Sequence, residues 1–90
     1  MSKQDCIKAI DLLLDDKWDD AHHIVQDLAE SYAQWIHAVV HKIEGDVGNS
    51  HYWYNRSGLE IYDTFTEPHE ELKAIKQKLL GLKKAPDLGL

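Results

Sequence analysis

The sequence predicts an all-α fold of about five helices, two helical hairpins followed by a C-terminal capping helix, and two observations carry that expectation. The first is periodicity: apolar residues recur at spacings of three and four through most of the 90 residues, the pattern of helices with one buried face. The second is internal repetition. Sliding the chain by 29 positions lays residues 6–23, CIKAIDLLLDDKWDDAHH, over residues 35–52 without a gap. Ile7 then meets Ile36, Ala9 meets Ala38, Ile10 meets Val39, Leu14 meets Ile43, Asp15 meets Glu44, Ala21 meets Ser50 and His22 meets His51. Small and apolar positions coincide where a core needs them, which is the signature of an α-helical repeat. A single domain is expected over residues 1–84, with a disordered tail over residues 85–90 that contains Pro86 and Gly89.

The first helix is expected over residues 4–14, with Ser2 as its N-cap and an apolar face of Cys6, Ile7, Ile10, Leu13 and Leu14. Asp15, Asp16 and Lys17 break it. Acids at 16, 19 and 20 suit the start of a second helix over residues 18–28, because the helix dipole favours negative charge there. Ala21, Ile24, Val25 and Leu28 face inward, and Ala21 is small enough for close helix approach. The third helix, residues 30–44, carries the stripe Tyr32, Trp35, Ile36, Val39, Val40 and Ile43 and stops at Gly45. Asp46 caps a fourth helix over residues 47–56, in which Trp53 and Tyr54 take the inward places of Ile24 and Val25. An irregular connector, residues 59–65, should lay Ile61, Tyr62 and Phe65 against the domain. Thr66 then caps a fifth helix, with Pro68 in its first turn, Leu72, Ile75, Leu79 and Leu80 on its apolar face and Gly81 as its stop. Such a helix is a common cover for the open end of stacked hairpins.

Composition restricts the function classes. The formal charge is −6, with no arginine-rich stripe and no glycine-rich phosphate loop, so nucleic acid is not an expected partner. Residues 1–71 hold 15 acids against 5 bases, whereas residues 72–90 hold 5 lysines against Asp87, and the two ends should attract each other. The lone cysteine, Cys6, excludes an intramolecular disulfide and fits a reducing compartment. With no charged-then-apolar leader and no apolar run of membrane-spanning length, a cytoplasmic protein without membrane contact is expected.

The Gly45-Asp46 turn followed by Ser50, Trp53-Tyr54, Arg56 and Gly58 resembles the second helix of tetratricopeptide and Sel1-like repeats, over about residues 4–58. The chain departs from those families in its period of 29 and in having no proline to close either unit. The stretches WDDAHHIVQ, WIHAVVHKIEGD and NSHYWYNRSG are also similar to a group of short uncharacterised bacterial proteins, a resemblance that implies no activity. The tetratricopeptide resemblance implies a non-catalytic protein-interaction or scaffold module, with a protein or peptide partner or a second copy of the chain. Trp18 and Tyr52, the aromatics freest of the apolar stripes, are its candidate contact residues.

A second class rests on histidine. His37 and His41 are four residues apart and Glu44 three further on, so all three project from one helix face. If the second and third helices pack antiparallel through their short link, His22 or His23 reaches the same place. His22, His37, His41 and Glu44 are therefore candidate ligands for zinc or another divalent metal, with metal-assisted hydrolysis as the corresponding activity. No standard zinc motif is present, and no cofactor is otherwise expected. Cys6, on an apolar stripe, reads as a small buried hydrophobe, and the acidic run from Asp15 to Asp20 as a solvated turn.

Overall fold

The computed structural model describes residues 2–81, so the expected tail at 85–90 lies outside the described residues. Five α-helices follow one another: α1 (Ser2–Leu14), α2 (Trp18–Val25), α3 (Ser31–Glu44), α4 (Val47–Ser57) and α5 (Pro68–Gly81), with a short 3-10 turn at Tyr62–Thr64. No strand occurs among the described residues. The chain is all-α with about five helices, as its periodicity predicts.

The middle helix carries the architecture. Residues 33–40 of α3 are buried on every side, because α3 packs against α1, α2, α4 and α5 alike. Around it lie Cys6, Ala9, Ile10 and Leu13 of α1, Ala21 and Val25 of α2, Tyr54 of α4, and Leu72, Ile75 and Leu79 of α5. The α3–α4 crossing is made by Ser50, which is small, fully buried and donates its hydroxyl to Ala38 O at 2.7 Å. α5 lies on α1 and α3, the first helices of both hairpins. Lys76 on α5 pairs with Asp11 on α1 at 2.8 Å, one specific contact between the basic end and the acidic body.

Both hairpins turn in the same way. After α1, Lys17 N–H donates to Leu12 O (2.8 Å) and Asp16 N–H to Leu13 O (3.0 Å), with Asp16 left-handed at φ 61°. After α3, Asp46 N–H donates to His41 O (2.9 Å) and Gly45 N–H to Lys42 O (3.1 Å), with Gly45 at φ 81°. Each is a Schellman turn, and every residue of the second lies 29 positions after its counterpart in the first.

Several boundaries differ from expectation. α1 begins at Ser2, which is thus a helical residue and not the cap. α2 stops at Val25 and not at 28, since Leu28 N–H turns back to Val25 O as the chain reverses toward α3. Glu67, not Thr66, precedes α5, and its carboxylate accepts from His69 N–H. In the connector Tyr62 and Phe65 pack on the core, but Ile61 is 62% exposed, and Leu80 also faces outward.

A polar network at the heart of the domain holds the connector and α5 in place. Glu71 is fully buried, and Trp35 Nε1–H and Tyr54 O–H donate to its Oε2 at 2.8 and 2.6 Å. Lys42 Nζ donates to Glu71 Oε1 (2.9 Å), Tyr62 O (2.9 Å) and Phe65 O (3.0 Å), which employs all three ammonium hydrogens. The rings of Tyr54 and Tyr62 flank the cation at 5.0 and 4.6 Å. Burial, reinforced by the Glu71 carboxylate, pushes the Tyr54 phenol far above its ordinary range and keeps it a donor. Removing one partner of a buried ion pair costs about 3–5 kcal/mol, and here it would also leave the connector carbonyls of Tyr62 and Phe65 without their donor.

Candidate metal centre

α2 delivers His22, and α3 delivers His37 and His41 from successive turns of one face. The antiparallel reversal after Val25 brings these three imidazoles together, each offering a ligand nitrogen within 4.8 Å of the others. His22 Nε2 and His37 Nε2 are 3.0 Å apart. The ring centroids of the three pairs lie 4.6, 5.0 and 5.5 Å apart. A tetrahedral zinc with Zn–N bonds of about 2.0–2.1 Å needs nitrogens roughly 3.4 Å apart, so the His22–His37 pair, which is hydrogen-bonded as it stands, is already near coordination spacing.

His37 is the centre of this group and the most buried of it, at 4% exposure. Trp53 of α4 stacks on its ring at 4.0 Å and an interplanar angle of 14°, forming an apolar wall. Burial first, and then the neighbouring His22 and His41, lower the His37 pKa to about 4. At neutral pH His37 is therefore an uncharged imidazole, the protonation state in which histidine ligates a metal, and the proton shared between its Nε2 and that of His22 is the one an ion would displace. The Nδ1 of His37 is buried without a hydrogen-bond partner. An unsatisfied buried polar group costs about 1–3 kcal/mol, and this orphan is the ring nitrogen that does not face His22.

Three of the four metal-ligand candidates thus meet. Glu44 stands on the other side of His41, its Oε1 3.1 Å from His41 Nδ1, where it forms a second group with Asp46. His23 is exposed, with Nδ1 3.1 Å from Asp19 O, and His51, 29 positions after His22, stacks on Tyr62 at 4.5 Å. Trp18 and Tyr52 are exposed at 44% and 51%. Tyr52 meets Trp53 edge-on at 5.1 Å, and Arg56 lies 5.7 and 5.5 Å from those two rings.

Sequence reasoning missed Asp46 as a neighbour of His41, Trp53 as the wall of the histidine cluster, and the Lys42–Glu71 pair. Signals existed for the last. Lys42 stands 29 positions after Leu13, a core residue, and Glu71 precedes Ile75 and Leu79 at helical spacing on the buried face of α5. Cys6 is buried, and burial pushes its thiol up to about 11, with Glu30 and Asp5 adding to the shift. Such a thiol is no nucleophile. No family model, curated protein or solved structure matches the chain.

Proposed function

We propose that the protein binds a divalent transition-metal ion through His22, His37 and His41. The observation that carries this reading is the convergence of three imidazole nitrogens from two helices to within 4.8 Å around a buried ring that is neutral at physiological pH. Neutral imidazole is a borderline-soft donor that suits zinc, copper, nickel or cobalt rather than magnesium or calcium. Three protein ligands leave one tetrahedral position to a solvent or substrate atom, the arrangement of a reactive rather than a closed structural site. Metal-assisted hydrolysis is the activity that such an open position favours.

Titrating zinc into tag-free, metal-stripped protein while following thermal unfolding tests the assignment. At a free concentration one hundred times Kd the ion adds about 2.7 kcal/mol of stability, which raises Tm by roughly 10 °C or more in a domain of this size. The expected result is a one-to-one shift that vanishes in His37→Gln and His41→Gln. No shift, or one that survives both substitutions, sinks the metal reading.

The interaction-module reading keeps one specific observation, the exposure of Tyr52 beside Trp53 and Arg56, since exposed aromatic and arginine side chains are favoured anchors at interfaces. Sedimentation of the wild-type chain against Tyr52→Ala distinguishes its homo-oligomeric form. Identical monomers in both would remove it.

A further inference from the structure

The turn that ends α3 folds back onto one of the proposed ligands. Gly45 adopts φ 81°, and this left-handed step brings Asp46 over the last turn of the helix, where its N–H donates to the carbonyl of His41. The side chain follows the backbone: Asp46 Oδ2 lies 3.7 Å from His41 Nδ1, and Glu44 Oε1 lies 3.1 Å from the same nitrogen. One imidazole nitrogen therefore faces two carboxylates. Asp46 is itself anchored, since Asn49 Nδ2 donates to its Oδ2 at 2.7 Å and Asn49 N–H approaches its Oδ1 at 3.5 Å.

Resting on the metal reading above, we propose that Glu44 and Asp46 are positioning residues for the ion, acting through His41 without touching it. An imidazole carries one proton when neutral, and a carboxylate pair on Nδ1 fixes that proton there as a donor to Glu44. Nε2 is left with the lone pair, so His41 enters the site in the ligating tautomer. The arrangement also balances charge. Three neutral imidazoles do nothing to offset a dication, whereas two carboxylates behind His41 supply compensating negative charge and increase the donor strength of the ring. Glu44 is thereby explained as a residue at ligand spacing that does not share the histidine cluster. The alternative arrangement is a second ion held by His41, Glu44 and Asp46 together, which have ligand atoms within 4.8 Å of one another.

The test compares wild type with Glu44→Ala, Glu44→Gln and Asp46→Asn by calorimetric titration of zinc and by the visible spectrum of the cobalt form. Outer-shell partners of metal-bound histidines typically contribute 10–100-fold in affinity. The expected result is one ion per chain in wild type and a Kd about 10–100-fold higher in Glu44→Ala. Glu44→Gln, which keeps an acceptor but loses the charge, should fall between the two. The metal-free melting temperature of Glu44→Ala stays near that of wild type, because Glu44 is exposed, so a purely structural role would not produce this pattern. Wild-type affinity in Glu44→Ala and Asp46→Asn would overturn the positioning role while leaving the three-histidine site intact. Two ions in wild type, one of them lost in these variants, would overturn it by making the carboxylates direct ligands. Absence of binding to wild type would remove both proposals.

Discussion

His37 shows how one position can shape the behaviour of its surroundings. Its pKa of about 4 against an ordinary 6.5 means that, between those values, the unfolded chain takes up a proton that the folded chain refuses. Stability contributed by the neutral ring is therefore complete above pH 6.5 and is lost as pH falls toward 4, to a total of about 3 kcal/mol. In metal-free protein, thermal midpoints measured from pH 7 to pH 4.5 should drop steeply in wild type and less in His37→Gln. Equal slopes would show that His37 is not the group refusing the proton. The pairing of His37 with His41 was legible because a helix repeats every 3.6 residues, so two residues four apart must share a face. His22 was legible only as one of two neighbours, and chain reversal after Val25 decides for it over His23. The apolar pattern places Trp53 in the core, and its contact with His37 depends on how α4 crosses α3, which no local pattern encodes. The Lys42–Glu71 pair joins residues 29 apart in the sequence, and two charged residues at apolar positions, Lys42 in place of Leu13 and Glu71 on the Ile75–Leu79 face, are its hints.

At the scale of the elements, the starts of α2, α3 and α4 were legible to within a residue, because a Gly-Asp stop-and-cap and apolar periodicity act locally. The turn after α1 was the harder case: its left-handed residue is Asp16, where the corresponding turn after α3 has glycine. A left-handed L-residue meets a steric cost of about 1–2 kcal/mol that glycine escapes, though aspartate tolerates the region better than most and glycine loses more freedom on folding. Asp16→Gly should consequently stabilise the protein by about 1 kcal/mol, or roughly 4–8 °C in Tm for a domain of this size. The exposed His69 pairing at 3.6 Å is weak enough to lose without reversing the sign. A midpoint that stays level or falls would mean that the two turns, alike in hydrogen bonding, differ in strain. The end of α2 is not legible in the sequence because Leu28 suits the stripe but lies beyond the reversal, where it packs half-buried as a turn residue.

Over the whole molecule, α3 touches every other helix, while α2 is an eight-residue helix whose N-cap, Lys17, makes no side-chain cap hydrogen bond. Helices that short are not stable alone, so α2 depends on what it leans against. Protein domains open in cooperative parts, and the two helices belong to opposite ends of that range. Backbone amides in the middle of α3 should exchange with deuterium only when the entire domain comes apart. Those of α2 should exchange sooner, through a partial opening that leaves α3 folded. His22 is the group by which such an opening would be felt at the histidine cluster, since swinging α2 away withdraws one donor of three. Ligation would then act as a latch: with zinc bound, α2 exchange should slow toward the rate of α3, and mass spectrometry of deuterium uptake resolves the two segments. Equal protection of both helices in metal-free protein would show that α2 has no separate opening. With such an opening, and with the ion held as proposed, the short helix without an N-terminal side-chain cap would set the lifetime of the ion, and release would be timed by the fold rather than by the chemistry of the imidazoles.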